Sequence, residues 1–409
     1  MQANRAIFDD PIDRAAAGEF APAMAEGAAA PEALTVTVLR CSEISEALRS
    51  EWRALGEAAS HPNPYFAWWF LEPAMRHLDP SEEVRLVLLR RAETGLLVGL
   101  APFVFQKGYA KLPLKHVCIW THRHCFNGAP LIREGFSVAA FAALFDWVDT
   151  RPEGAVFIRF AMLPFDGEMN RTLDEASALR ERDYRVQDYH ERAILTADNL
   201  FDDVMAAAMS GKKRKELRRQ ERRFGELGET KLAALPLKSA LGETVISQFI
   251  ALENTGWKST DPGGFPLGQS VAESRFFREA MIAGAKEGAV GCLANTIDDE
   301  PAAMLFTLRL GSHLAAFKTS YDETLSAYSP GVRVLIEATR QMLDSDVELF
   351  DSCARQGHPV VDGLWSERLP IVQLNVPAKR VTDKTLLRTA ATLETLKLKA
   401  LRRLNRAEA

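Results

Sequence analysis

Apolar and polar residues recur along the chain with two different periods, and together these periods predict a mixed α/β protein. Strand-like runs over residues 84–91 and 96–106 flank Ala92–Gly95, whose composition is typical of a hairpin turn. Residues 290–297 and 302–310 predict a second hairpin of the same kind. A strand over 34–39 precedes the first hairpin.

The two predicted hairpins are followed by the same series of elements. After the first hairpin the pattern predicts a strand over 114–120, a helix over 138–148 and a strand over 155–161. After the second hairpin it predicts a strand over 313–321, a helix over 332–343 and a strand over 347–350. This shared order indicates two copies of one α/β unit.

The start of the helix near residue 330 is the clearest candidate for ligand binding. Ser329 is suited to the N-cap, and Pro330 to the first helical position, where its missing N–H costs nothing. Gly331 allows a ligand or another backbone to approach closely. The free N–H groups that follow, including that of Val332, and the charge of Arg333 predict an anion site. The alternative is an ordinary capped helix.

The basic residues are concentrated in one helix predicted over 210–226. Between Lys212 and Arg223, eight cations face only Glu216 and Glu221, which is too few for internal ion pairing. We therefore predict that Arg218 and Arg219 contact an anionic ligand; the alternative is a solvated helix. The candidate ligands are coenzyme A phosphates, a nucleotide-sugar, an acidic glycan and tRNA.

Composition and charge restrict the class of protein. A length of 409 residues with 47% hydrophobic and 26% charged residues predicts two or three domains with real cores. The net charge of −5 gives no general attraction to nucleic acid. Five scattered cysteines without a C-x-x-C pair favour a reducing compartment. With no predicted secretory signal or membrane span, we expect a cytoplasmic protein.

The domain organisation follows from these patterns. We predict a disordered alanine-rich tail over 1–33, domains over 34–195 and 196–380, and a basic C-terminal helix over 381–409. This last helix either packs on its own domain or makes a peripheral contact with an anionic membrane surface.

Short motifs in a fixed order carry a resemblance to a known family. They are Pro64-Tyr65-Phe66, Ala129-Pro130-Leu131, Lys212–Arg223, Gly256-Trp257-Lys258, Lys318–Glu323, Tyr328–Gly331, Phe350-Asp351 and Trp365–Arg368. In this order they resemble the CelD-like branch of the GNAT acyltransferase superfamily, which is related to the Fem peptidyltransferases. The resemblance covers roughly residues 35–380 and is most specific over 205–370. It implies two tandem GNAT-like domains, each a mixed sheet flanked by helices.

The resemblance also implies an activity. The donor would be an acyl-CoA with its pyrophosphate at Ser329–Gly331, and the acceptor an amine or hydroxyl of a small molecule or glycan. The setting would be envelope or exopolysaccharide biosynthesis, with polysaccharide-synthesis proteins as partners. Neither copy has the Gln/Arg-x-x-Gly-x-Gly/Ala loop of simple GNAT enzymes, which leaves the donor open. The alternatives are a Fem-like transferase that uses aminoacyl-tRNA and a catalytically silent scaffold.

Acyl transfer to an amine requires a neutral nucleophile, a polarised carbonyl and a stabilised leaving group. Asp351, at the end of a predicted strand, and Asp322 are candidates for the base or the amine-orienting group, and Tyr321 for the proton donor. The alternatives are that Asp351 caps a helix, Asp322 lies in a turn and Tyr321 packs its ring. The predicted acceptor-binding residues are Trp257, Lys258, Lys318, His358 and Trp365.

We predict no metal cofactor. His122, His124 and Cys125 lie close together, but on a strand Cys125 would point away from the two histidines. No second pair of ligands occurs at zinc-like spacing.

Overall fold

The computed structural model describes residues 32–238, 240–256 and 265–393. They form two compact units, the first made of residues up to 66, 81–191 and from 369 onward, the second of 67–80 and 192–368. The predicted tail over 1–33 and the end of the predicted C-terminal helix, over 394–409, lie outside the described residues apart from 32 and 33. The domain boundaries predicted from the sequence stay a prediction.

The described residues form the following elements. The strands are β1 (Leu34–Leu39), β2 (Arg85–Arg91), β3 (Leu97–Gln106), β4 (His116–Ile119), β5 (Leu131–Ile132), β6 (Phe157–Pro164), β7 (Arg185–Thr196), β8 (Thr230–Ala234), β9 (Val290–Ile297), β10 (Glu300–Leu310), β11 (His313–Tyr321), β12 (Leu349–Asp351) and β13 (Glu367–Pro377). The α-helices are α1 (Glu46–Glu57), α2 (Trp68–Leu78), α3 (Ser137–Asp149), α4 (Gly167–Leu179), α5 (Phe201–Ala208), α6 (Gly211–Gly225), α7 (Gly242–Thr255), α8 (Val271–Glu287), α9 (Pro330–Leu343) and α10 (Val361–Leu364).

The first unit contains a mixed sheet. Strands β1 to β4 are joined by antiparallel pairing in chain order, which confirms the hairpin predicted between β2 and β3. Strand β6 then pairs in parallel with β4 and antiparallel with β13. Phe141 and Trp147 of α3 pack their rings against Phe160 and Phe103 of the sheet. Burial of these aromatic rings supplies much of the driving force that holds α3 on the sheet.

The second unit repeats this order. Strands β9, β10 and β11 are antiparallel neighbours, and β12 pairs in parallel with β11. On one face of the sheet, Leu305 forms a core with Val334 and Leu335 of α9. On the other, Phe306 packs against Phe249 and Phe277 of α7 and α8. The mixed α/β class and the repeat of hairpin, strand, helix and parallel strand are therefore confirmed.

Two segments outside these sheets bear on the predictions. Helix α6 begins one residue after Ser210, whose side chain accepts a hydrogen bond from the Lys213 N–H. Residues 381–393 are helical, and Leu387 and Ala390 are buried against Tyr109 and Phe157 of the first unit. Within the described part of the chain, every helix is too short or too polar to cross a bilayer.

Candidate active site

The start of α9 differs in detail from the expected capped helix. Ser329 is the N-cap residue by position, but its backbone is left-handed (φ 53°, ψ 47°) and its side chain makes no capping hydrogen bond. Ser329 is thus the N-cap residue as predicted, but its side chain does not cap the helix, because the backbone lacks the extended conformation that a capping side chain requires. Pro330 occupies the first helical position as predicted.

Groups that bind anions lie together in the first turn of α9. The N–H groups of Gly331 and Val332 have no partner within the helix, since the first turn of any helix lacks one. Arg333 follows in the same turn, and its guanidinium lies 5.9 Å from the ring centroid of Phe224 in α6. It also forms an ion pair with Glu221 of the same helix. The arrangement combines a helix dipole with a largely buried cation.

The basic helix α6 lies beside this turn, a contact that the sequence did not predict. Phe224 is fully buried, and its ring centroid is 5.8 Å from that of Tyr328, the residue before Ser329. The guanidinium of Arg223 lies 5.7 Å from the Tyr328 ring. Helix α6 therefore brings positive charge next to the start of α9, although the two segments are far apart in sequence.

The two predicted anion contacts on α6 are on its surface. Arg218 is exposed. Arg219 is also exposed and donates hydrogen bonds from Nε and Nη2 to the Glu216 carboxylate, at 2.9 and 2.7 Å. This i,i+3 pair raises the pKa of Arg219 and lowers that of Glu216. Because both arginines are exposed, their positions do not indicate which anion they would bind.

The carboxyl half of β11 directs two predicted site residues to opposite faces of the sheet. Tyr321 is paired with Ala303, whereas Lys318 is paired with Phe306, three residues further along β10. Because side chains alternate along a strand, these two point in opposite directions. Tyr321 lies beside α9: a Cβ added at Gly331 would be 3.5 Å from its Cδ1. Tyr321 thus belongs to the same neighbourhood as the anion-binding turn.

Lys318 forms a buried ion pair with Glu253 of α7. Its Nζ lies 3.2 Å from Oε1, and the two side chains are 10% and 0% exposed. The other carboxylate oxygen of Glu253 accepts a hydrogen bond from the Leu267 N–H at 2.9 Å. Sequence reasoning missed Glu253. An acidic residue in the amphipathic helix α7 was the available signal, but it did not identify the partner.

Gly256, which precedes Trp257 and Lys258, lies near the end of β11. Trp257 and Lys258 lie outside the described residues, and Gly256 is the last described residue before them. A Cβ added at Gly256 would lie 3.6 Å from Oε1 of Glu323 and 3.9 Å from the Tyr321 carbonyl oxygen. The predicted acceptor contacts of Trp257 and Lys258 stay a prediction.

Asp322 stabilises the turn that follows β11. Its Oδ1 accepts hydrogen bonds from the Thr324 N–H at 2.9 Å and from the Thr324 hydroxyl at 2.7 Å. Asp322 is also the N-cap residue of a short 3₁₀ helix, Glu323–Tyr328, that leads to α9. This arrangement corresponds to the turn alternative derived from the sequence. A catalytic role for Asp322 stays a prediction.

Asp351 is held by a buried ion pair with Arg192 of β7. The side chains are 10% and 1% exposed, and the hydrogen bond joins Arg192 Nη2 to Asp351 Oδ2. The second oxygen, Oδ1, accepts a hydrogen bond from the Cys353 N–H at 2.9 Å. Sequence reasoning missed Arg192. An arginine directly before the apolar run Ala193–Leu195 was the signal that could have identified it.

Asp351 and Tyr321 do not come together. Strand β12 ends at Asp351, which is paired with Ala315, whereas β11 continues to Tyr321. At about 3.3 Å per residue, these six further residues advance roughly 20 Å along the strand. Asp351 is therefore level with the beginning of β11, whereas Tyr321 lies at the other end of that strand.

His358 and Trp365 have different environments. The Nδ1 atom of His358 accepts a hydrogen bond from the Val361 N–H at 3.3 Å. Burial lowers the pKa of His358; Asp362 opposes this shift, and Arg355 adds to it. A neutral ring with Nδ1 as acceptor carries its proton on Nε2, which is therefore a donor. Trp365 is 1% exposed and donates from Nε1 to Thr339 Oγ1 at 3.1 Å, and its predicted contact with the acceptor stays a prediction.

Three histidines of the first unit, His116, His122 and His124, pack against other rings. His116 stacks on Phe157 with centroids 4.4 Å apart, and burial lowers its pKa to about 4. His122 and His124 are in edge contact at 6.0 Å. In the described ranges, no group of three or more His, Cys, Asp or Glu side chains is placed to hold a metal ion.

Comparisons with known proteins agree with this architecture. Residues 211–357 match the family described as "Acetyltransferase (GNAT) domain". A conserved protein of unknown function from Bacteroides thetaiotaomicron VPI-5482 aligns with a TM-score of 0.53 and 11% identity over 84% of this chain and 100% of its own. The structure of FemX aligns with a TM-score of 0.55 and 10% identity over 87% and 100%. No curated protein sequence matches the chain.

At these identities the structural likenesses show the fold alone. The acetyltransferase match lies within the second unit, and the fold of the chain is similar to that of FemX. The start of α9 and the end of β12 both fall in the matched range. The finer assignment to a CelD-like branch stays a prediction.

Proposed function

We propose that the protein is an acyltransferase that moves an acyl group from an acyl-CoA to an amine or hydroxyl acceptor. The observation that carries this proposal is the first turn of α9. There the N–H groups of Gly331 and Val332 precede Arg333 in the same turn, and the basic helix α6 lies beside this turn. Helix dipole, free N–H groups and cations all favour a diphosphate at this position.

The reacting end of the donor would lie towards the end of β12. Asp351 ends that strand, and its carboxylate is suited to orient the acceptor amine. The amine nitrogen forms a bond to the thioester carbon, the carbon–sulfur bond breaks, and the proton lost by nitrogen is taken up by the leaving thiolate. Tyr321 and Asp322 would then lie at the phosphate end of the donor, because they are beside α9 rather than beside Asp351.

A thermal-shift series tests this proposal. We expect acetyl-, succinyl- or longer acyl-CoA to raise the melting temperature of the wild-type protein. Gly331→Trp should abolish that shift by covering the first-turn N–H groups. Gly331→Ala is the matched control, since its Cβ would be in ordinary contact with Tyr321 at 3.5 Å. Absence of a shift with every thioester would contradict an acyl-CoA donor.

The exposed cations of α6 favour one alternative, an aminoacyl-tRNA donor. Eight Lys and Arg residues occur on this one helix, and most of their side chains are exposed. Phosphate contacts of this kind release counterions, so tRNA binding should weaken steeply as salt increases. We expect Arg218→Ala with Arg219→Ala to reduce the salt slope if tRNA is the donor. Binding that is insensitive to salt would exclude this alternative.

The biological setting belongs to the same proposal. The resemblance to CelD-like proteins supports a glycan or amino-sugar acceptor, envelope or exopolysaccharide assembly, polysaccharide-synthesis partners and a cytoplasmic location. A catalytically silent scaffold is the outcome if neither thioesters nor tRNA bind.

A further inference from the structure

The ion pair between Arg333 and Glu221 is unequal in its exposure to solvent. Arg333 Nη2 contacts Glu221 Oε1, and the side chains are 13% and 59% exposed, respectively. The other terminal nitrogen of Arg333, Nη1, is buried and has no hydrogen-bond partner among the residues that the structure describes. The guanidinium is therefore held in place with part of its hydrogen-bonding capacity unused.

Because of this difference in exposure, the Glu221 carboxylate can leave the ion pair more easily than the Arg333 guanidinium can. Its carboxylate is mostly in water, and ion pairs of largely exposed groups contribute little to stability. Arg333, by contrast, is mostly buried and lies over the Phe224 ring. A guanidinium has several N–H donors in one plane, and two of them can bind two oxygens of the same anion. We therefore expect Arg333 to bind a phosphate more strongly than it binds Glu221, which it contacts through Nη2.

The position of Glu221 within α6 is also distinctive. The helix contains two acidic residues, Glu216 and Glu221, among eight cations. Glu216 pairs with Arg219 on its own helix, whereas Glu221 reaches across to α9. The two residues carry the same charge on the same helix but have different partners. They provide a matched pair for an experiment.

We propose that Glu221 occupies the place of a ligand oxyanion on Arg333 and that a diphosphate displaces it. Glu221 is then a specificity-determining residue. A singly charged carboxylate offers Arg333 no more than Glu221 already does, whereas a diphosphate adds charge and also reaches the N–H groups of Gly331 and Val332. This inference rests on the proposed function, because the diphosphate is that of the donor.

Calorimetric titration with inorganic pyrophosphate, coenzyme A and acetate tests the exchange. We expect Glu221→Gln to bind pyrophosphate up to roughly five-fold more tightly than wild type, the upper end of the range for the loss of a competing ion pair in which one partner is exposed. Glu216→Gln measures the general effect of removing one negative charge from α6, and its affinity should change by less. Thermal unfolding of both variants checks that they fold.

The outcomes separate this inference from the proposed function. If wild type binds pyrophosphate and Glu221→Gln binds it more weakly, Glu221 orients Arg333 and the exchange is refuted, while the donor site stands. Equal gains in Glu221→Gln and Glu216→Gln also refute the exchange. If wild type, Glu221→Gln and Glu216→Gln bind neither pyrophosphate nor coenzyme A, the donor site fails, and the exchange fails with it.

Discussion

Replacing Arg192 by Met tests whether the carboxylate of Asp351 depends on its buried counter-ion. In the wild-type protein the pair is 1% and 10% exposed, so both charges have lost most of their hydration. Met fills similar space but leaves the carboxylate in the interior. The Cys353 N–H would remain as a donor to Oδ1. A buried charge without its partner is costly, because the low-dielectric interior cannot replace the lost attraction.

The expected cost is large for a single substitution. Removing one partner of a buried ion pair destabilises proteins by about 3–5 kcal/mol. For a unit of some 150–250 residues, each kcal/mol lowers the melting temperature by about 2–4 °C. We therefore expect the unfolding transition of the second unit to fall by roughly 6–20 °C. A double variant, Arg192→Met with Asp351→Leu, should recover most of this loss because no charge is left buried.

Urea and thermal unfolding followed by tryptophan fluorescence and circular dichroism provide the measurement. Arg219→Met is the matched control: it removes an ion pair whose side chains are 54% and 44% exposed, and solvent-exposed ion pairs contribute little to stability. If Arg192→Met is as stable as this control, or if the double variant is no more stable than the single one, the reasoning about the buried charge is refuted.

Two further predictions concern stability. Burial lowers the pKa of His61, but the hydrogen bond and charge of Asp166 outweigh it, so the net shift is upward, while that of Asp166 is downward. This ion pair therefore stabilises the fold most between about pH 4 and 6.5, and the stabilisation is lost as the pH rises through the raised pKa of His61. In urea unfolding, His61→Asn should lower the free energy of unfolding more at pH 5.5 than at pH 8.5. Equal losses at the two pH values would contradict this. In α8, a Cβ at Gly284 would lie 2.6 Å from Trp69 Cε3, so Gly284→Ala should destabilise the protein by about 1–3 kcal/mol. Gly225→Ala is the control, because a Cβ there would have open space around it. Equal melting temperatures of the two variants would disprove the clash.

The elements that were predicted well are those whose pattern is local. The strands over 34–39 and 313–321 have the predicted bounds, and α9 begins at Pro330, two residues before the apolar spacing indicated. Alternation of period two and helical spacing are properties of short segments, so a single sequence displays them. The order of these elements was also sufficient to predict two copies of one unit.

The partners of the charged site residues could not be predicted in this way. Asp351 pairs with a residue 159 positions away, Lys318 with one 65 positions away, and Arg333 with one 112 positions away. Such contacts depend on which strands and helices become neighbours, and no local period contains that information. Ser329 illustrates a second limit: its residue type favours an N-cap, but the preceding 3₁₀ helix ends with Ser329 in a left-handed conformation.

These partners give the two parts of the candidate site different electrostatic characters. Lys318 and Asp351 each have a buried partner of opposite charge, so these two ion pairs carry no net charge. Near the start of α9, by contrast, the eight cations of α6 exceed its two acids, and the helix dipole adds to the excess. An uncharged thioester and a neutral amine suit the first environment, and a diphosphate suits the second. The charge distribution therefore favours a donor whose charged group is remote from its reacting carbonyl, which is the property of an acyl-CoA that the proposed function requires.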